Sequence, residues 1–524
     1  MLRVQVGTSP LALPPGILIG ALVVAVLAAT TGAAAALLPP TISLAIVGGL
    51  ASPLVVAILV RLAGLAFGRD LGAVQSIAAL LAGAALATIT FNGLSFGLDM
   101  TVADLFLLGA GLVLLPQLLM KPQLRPAAPT WLIASGCLLL VSGLVSSMDK
   151  VGPTDHLVPA IRFVVALSLA PLIIAVSAGH RARLSLMTSL WLLSAGANGA
   201  VALSDLLGLT SIGPRLTGLE FQGRAAGLTV HPNHLALACA MALPLAVSRV
   251  SATRNLRVQS IYLVLAVAIA LGILASGSRA GIVAGVAGVV LVTVLQRRGR
   301  KAIVLTLVGG AAAILIVGFL SSSNSDQLFT GIQRLTGGES VGNSDTTRLE
   351  YYRVATAEFA LKPLAGNGFA VVRDAHDIYL QLLQAGGLVA FTAFGLFALS
   401  TLLLGVRLAH EPTLPHAMQG LAAALTASMA VWLLAGLAQN QIYDRFLYVP
   451  AGLVLALSVI RAEHSKISFD APVGALRASA RLEMDASTSG CAPEAQRRRG
   501  RLVDPPGQRW ASARKEANNE NSDS

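Results

Sequence analysis

Gly223-Arg224-Ala225-Ala226-Gly227-Leu228-Thr229-Val230-His231-Pro232-Asn233 leads into an apolar run from Leu235 to Val247. A basic, glycine-flanked turn thus precedes a segment apolar enough to enter a bilayer. Pro is tolerated in the first turn of a helix and Asn is a good cap, so His231-Pro232-Asn233 marks a helix start. Two further sites repeat the pattern. Gly277-Ser278-Arg279-Ala280-Gly281 opens a second apolar run, and Ala375-His376-Asp377-Ile378-Tyr379-Leu380 a third. Ionisable groups near the ends of membrane segments are rarely there without a use. Whether these three act together depends on topology.

Working outward, 55% of the 524 residues are hydrophobic and only 12% charged, with a mean hydropathy of +0.75. Runs long enough to cross ~30 Å of hydrocarbon recur from Pro15 to Ile460, so the fold class is an all-α polytopic membrane protein. About fourteen spans are expected, and counts of this kind vary by one or two, giving a range of about 12–14. They centre near residues 27, 50, 82, 110, 140, 167, 196, 240, 267, 287, 311, 395, 427 and 453. The first is too long for the apolar core of a signal peptide, and more spans follow at once. Basic residues collect on alternate loops, at Arg61, Arg69, Lys121, Arg125, Arg181, Arg183, Arg249, Arg254, Arg257, Arg297, Arg298, Arg300, Lys301 and Arg407. The opposite short loops hold Lys150, Arg215, Arg224, Arg279 and Arg445. The positive-inside rule then places both termini in the cytoplasm, and Arg224, Arg279 and His376 on the external face.

Two external segments exceed what a connection needs, roughly 207–230 and 321–381, and loops of such length are usually functional or disordered. In the second, Leu349, Tyr352, Ala355 and Phe359 recur at helical spacing, which predicts a short amphipathic helix over Thr347–Leu361 in an ordered cap. The organisation expected is N-terminal spans over 1–206, a site-bearing region over 207–460 including the loop 321–381, and a polar tail over 461–524. The tail reads as cytoplasmic and largely disordered. Its Arg497-Arg498-Arg499 run suits anionic lipid head groups better than nucleic acid. Cys137, Cys239 and Cys491 lie too far apart in the chain to suggest a disulfide framework.

Chemistry follows from helix polarity. The spans beginning near Arg224, Arg279 and His376 all run from outside to inside, so their positive dipole ends open on the external face. Anions bind at such ends, and guanidinium groups grip phosphate in a bidentate manner. A neutral histidine beside them accepts a proton from a hydroxyl at neutral pH. The substrate expected is a membrane-embedded diphosphate ester whose leaving group is displaced by an alcohol. Each residue alone has a plainer explanation: Arg224 as a solvated loop cation, Arg279 as a snorkelling side chain, His376 as a structural histidine. Their combination on one face favours chemistry. Asp374, His376 and Asp377 resemble a metal cluster only loosely, and no metal site or cofactor is expected. Asn233, Ser278, Asp377, Tyr379 and Arg162 are supporting candidates, Arg162 lying about a turn inside the sixth span. Asp377 is placed to hold His376 in one tautomer or raise its pKa.

Gly223-Arg224 with Pro232-Asn233, then Ser278-Arg279-Ala280-Gly281, resembles the O-antigen ligase and polymerase family of bacterial envelope proteins. So do the stretch Lys362-Pro363-Leu364-Ala365-Gly366-Asn367-Gly368-Phe369 and the stretch from His376 to Gly387. The resemblance is best over Arg215–Val389. It implies transfer of a glycan from an undecaprenyl diphosphate carrier to a hydroxyl acceptor, outside the inner membrane and facing the periplasm. By carry-over, Arg224 and Arg279 would hold the diphosphate, and His376 would deprotonate or orient the acceptor. The partners implied are the lipid-linked glycan, a glycan or lipid A-core acceptor, membrane lipids, and a chain-length regulator or flippase. The family usually has Asn where Asp377 stands and often Glu where Gln384 stands. An anion at Asp377 would repel a diphosphate unless paired, for instance with Arg373. The span count and two large external loops lean toward a polymerase of exopolysaccharide or O-antigen type, with a ligase to lipid A-core as the alternative. A transporter or flippase without chemistry is the reading of another class. It is disfavoured because polar groups cluster on one side rather than at the bilayer midplane.

Overall fold

A computed structural model of the chain describes residues 73–96, 100–120, 129–148, 153–221, 223–296, 304, 308, 340–370 and 375–470. The regular secondary structure of these residues is helical apart from one short antiparallel strand pair. The helices are α1 (Ala73–Thr88), α2 (Val102–Met120), α3 (Thr130–Ser147), α4 (Pro153–Ser177, with a π-helical stretch at Val165–Leu169) and α5 (Arg181–Leu206). The short α6 (Ile212–Thr217) leads to α7 (Pro232–Ala252), α8 (Leu256–Ala275) and α9 (Arg279–Leu295). Then follow α10 (Ser340–Leu361), α11 (Ile378–Ala409), α12 (His416–Ala435) and α13 (Val449–Asp470). The chain divides into two units, Met1–His464 and Ser465–Ser524, and all that follows concerns the first.

Among the described residues, eight helices are long and apolar enough to cross a membrane: α3, α4, α5, α7, α8, α11, α12 and Arg445–Ala462, which takes in most of α13. Shorter apolar helices lie at Gln75–Thr88, Val102–Leu114 and Arg279–Leu295. The centres expected near 82, 110, 140, 167, 196, 240, 267, 287, 395, 427 and 453 all fall inside helices. Those near 27, 50 and 311 lie outside the described residues, as does nearly all of the 461–524 tail. The protein is therefore an integral membrane protein of helical class. The expected total of fourteen spans is not reached by the described helices.

The bundle centres on α7, 89% of whose span-length window is buried. It packs on α5, α8, α9 and α12. Its sequence explains why, since Ala236, Ala238, Ala240, Ala242 and Ala246 are all buried and let neighbouring backbones approach. A tight aromatic group, Phe394, Phe397, Trp432 and Tyr448, joins α11, α12 and the 3₁₀ turn Arg445–Tyr448, with ring centroids 5.2–5.9 Å apart.

The cap predicted over Thr347–Leu361 is helical but begins earlier, at Ser340. Its inward face is shifted by one residue from the expected stripe at one end. Leu349 is 58% exposed, whereas Arg348, Tyr351 and Tyr352 are partly covered and Ala355 is buried. A leucine thus faces outward while Arg348, Tyr351 and Tyr352 lie on the covered side.

The motif stretches Lys362–Phe369 and His376–Gly387, far apart in character, fold against each other. Asn367 N donates to Gln384 O (2.8 Å), Gly368 N to Ala385 O (2.8 Å) and Leu388 N to Pro363 O (2.8 Å). Gly387 makes this possible. Its φ of 63° breaks α11, and an added Cβ would lie 2.4 Å from Leu364 O. The start of α11 is tied to the end of α12 by Ile378 N donating to Gly436 O (2.9 Å).

Candidate functional site

The N-terminal ends of α7, α9 and α11 meet at one end of the bundle, around a cavity of about 530 Å³. Arg224, Arg279 and His376 all line it, as do Asn233 and Ser278. Three residues separated by roughly 50 to 150 positions in sequence are thereby brought to one place. The convergence of three helix N-termini adds a positive dipole field to the guanidinium charges.

Arg224 is held rather than left to the solvent. Its Nε donates to Ser276 O and its Nη2 to Asn233 Oδ1, both at 2.8 Å. The loop that carries it is pinned by Ala225 N donating to Ala275 O (3.0 Å). Gly277, at φ 61°, leaves the room, since an added Cβ would lie 3.3 Å from Arg224 Cγ. Arg279 is the first residue of α9. Ser278 caps that helix through its Oγ, which accepts from Gly281 N (3.4 Å).

His231, rather than Asn233, caps α7: its Nδ1 accepts from Asn233 N at 3.1 Å. That bond assigns the ring proton to Nε2. Burial, then the nearby Arg224, His234 and His376, push its pKa down to about 4. His231 therefore faces the cavity as a neutral donor at pH 7. Pro232 occupies the first helical position, as expected.

His376 is the one non-glycine residue with positive φ among those described, at 48°. Left-handed backbone is uncommon outside glycine and concentrates at functional sites. Tyr351 of α10 lies against the imidazole, ring centroids 5.7 Å apart. The same helix brings Arg348 into the cavity, a third guanidinium that the sequence reading did not single out. Among the described residues no Asp or Glu lines it, the others being Ala280, Val283, Leu434, Ala435, Ala438 and Gln439.

The other supporting candidates do not line the cavity. Asp377 caps α11, its Oδ1 accepting from Tyr379 N (2.8 Å) and Leu380 N (2.9 Å). Burial raises its pKa above the usual carboxylate value, against the pull of those two bonds. Tyr379 OH donates to Leu433 O (2.7 Å), fastening α11 to α12. Arg162 lies in α4 beside Tyr443. Arg373 and Asp374 fall outside the described residues. Among those described, no three His, Cys, Asp or Glu side chains group as metal ligands. Gln384, where the family often has Glu, is buried and donates to the carboxylate of Glu358 on α10, so an acid reaches this position from another helix.

Behind His231 lies a second polar group. His234 Nδ1 is 2.7 Å from Asp444 Oδ2, and Asn92 Nδ2 donates to Asp444 Oδ1 (2.7 Å). Burial raises the Asp444 pKa, but His234, Asn92 and Arg445 together outweigh it and hold the carboxyl below its ordinary value. Arg445 in turn donates from Nε to Asp104 Oδ1 (2.5 Å). Neither pair was foreseen, because residues more than 140 positions apart carry no local signal of their meeting.

No curated protein matches the chain significantly. Arg279, Arg348 and His376 lie within the stretch that matches a family model, whereas Arg224 and His231 precede it. That stretch is residues 264–395, and over it the chain is similar to the family described as O-antigen ligase.

Proposed function

We propose that this protein transfers a glycan from an undecaprenyl diphosphate carrier to a hydroxyl acceptor at the external face of the inner membrane. The family indicates glycan transfer of ligase or polymerase type. The observation that carries the finer reading is the 530 Å³ cavity, which Arg224, Arg279, Arg348, His231 and His376 line, with no carboxylate among the described lining residues. Arg224 and Arg279 hold the diphosphate, with Arg348 closing over it from α10. His376 takes the acceptor proton as the acceptor oxygen bonds to the anomeric carbon. The bond from that carbon to the phosphate oxygen breaks, and its electron pair leaves on the diphosphate. The guanidinium groups and helix ends stabilise the charge that grows there, the contribution that is often largest in such reactions.

Polymerase and ligase differ in acceptor, not in this cavity. The lean toward a polymerase rests on the expected span count and the two large external loops. The test is the surface glycan profile of a deletion strain complemented with wild type or with His376→Asn at equal membrane level. Wild type restores the profile and the variant fails. Loss of long chains with single units remaining identifies a polymerase; full chains left on the carrier identify a ligase. Full rescue by His376→Asn overturns the base assignment and moves a transporter reading to first place.

A further inference from the structure

A second cavity, of about 460 Å³, adjoins the first and shares Arg224 with it. Its lining differs in character. Asp205, Leu219, Glu220 and Phe221 stand with Arg224 around the loop Gly223–Gly227. Asp205 is already committed. Its Oδ1 accepts from Thr210 Oγ1 (2.6 Å) and Ile212 N (2.8 Å), and its Oδ2 from Gly213 N (2.8 Å), which fixes α6 as one wall. Glu220 is exposed and makes no hydrogen bond or ion pair among the described residues. Phe221 packs edge-on against His231, ring centroids 5.1 Å apart, and His231 lines the first cavity. The Phe221–His231 pair and Arg224 thus form the divide between a cationic compartment and one with carboxylates and an aromatic ring.

We propose that this second cavity is the subsite for the sugar next to the diphosphate of the lipid-linked donor. The inference rests on the diphosphate reading of the first cavity. A lipid-linked glycan changes character at the same point as the protein does, from an anionic diphosphate to a polyol. A carboxylate accepts from sugar hydroxyls, whereas it repels phosphate. The C–H face of a pyranose packs on an aromatic ring such as Phe221, and a few polar groups in an otherwise apolar cleft set orientation. The volume is in the range of small-ligand sites, about 300–1,000 Å³. The hydroxyls of this sugar that do not react give binding energy that positions its anomeric carbon.

The test uses the full chain in detergent and two probes: bare undecaprenyl diphosphate, and the undecaprenyl-diphosphate-linked repeat unit extracted from the strain that encodes this protein. Wild type should bind the glycan-bearing probe about tenfold more tightly, the size of one hydrogen bond to a charged group. Glu220→Gln and Phe221→Ala should each lose most of that gain and leave binding of the bare carrier unchanged. Glu220 is exposed, so its variant folds even if loss of Phe221 disturbs the loop. Equal affinity of wild type for both probes, an unmoved gain in both variants, or equal losses on both probes overturns the sugar subsite. A wild type that binds neither probe overturns the diphosphate reading and this one with it, a result distinct from bare carrier bound and no gain for glycan.

Discussion

His376 shows how much a single residue combines at this site. Its left-handed backbone, its contact with Tyr351 and its place in the cavity are all required of one side chain. Asn tolerates the left-handed region better than most residues, so His376→Asn removes the base while keeping the turn. Transfer should fall by about 10²–10⁴-fold, as expected for loss of a general base, with unchanged thermal stability. Arg279→Lys should lose most activity as well, measured as the rise in KM for lipid-linked donor, because an ammonium cannot grip two phosphate oxygens in parallel. His231 carries the pH dependence. Its folded pKa of about 4 lies below the unfolded value near 6.5, so the unfolded chain binds the extra proton. Its contribution is complete above about pH 6.5 and is lost as pH falls toward 4. Thermal melts across that window should flatten in His231→Asn, which keeps a capping oxygen but does not titrate. At this scale the sequence was informative for Arg224, Arg279 and His376, since each follows or opens a turn at the start of an apolar run. It was silent on His231's cap, because Asn at the next turn position is the more usual capping residue.

Among the elements, α10 and the broken start of α11 decide the geometry. Gly387→Ala would put a methyl group 2.4 Å from Leu364 O in a backbone conformation that L-residues avoid. We expect it to undock the Lys362–Phe369 loop and cost at least about 1–3 kcal/mol. The check is faster proteolysis in 340–370 while α7 to α9 stay protected. The helical pattern of the cap was legible in Tyr352, Ala355 and Phe359. Its inner edge was not: hydrophobicity points Leu349 inward, yet Arg348 occupies that edge and lines the cavity, and a cation there runs against the apolar rule by which faces are read. The pairing of the two motif stretches was likewise invisible. It is made of backbone hydrogen bonds, which any side chains can supply.

For the whole molecule, helical class and the position of every described span were readable from hydropathy, since apolar runs of this length have few other outcomes in water or lipid. Their mutual packing was not. It depends on small residues along α7 and on pairs such as His234–Asp444 that join the first turn of α7 to the start of the final span. Asp444→Asn should lower the melting temperature, because the half-buried carboxylate, 2.7 Å from His234 Nδ1, loses its attraction to that ring and to Arg445. Arg224 should keep its bonds to Ser276 and Asn233, so bare-carrier binding survives at temperatures below the new transition. The convergence of three helix ends on three guanidinium groups has a corollary in ionic strength. Added salt screens such a field, so binding of bare undecaprenyl diphosphate should weaken as salt rises, and a flat salt titration would count against a cationic diphosphate site.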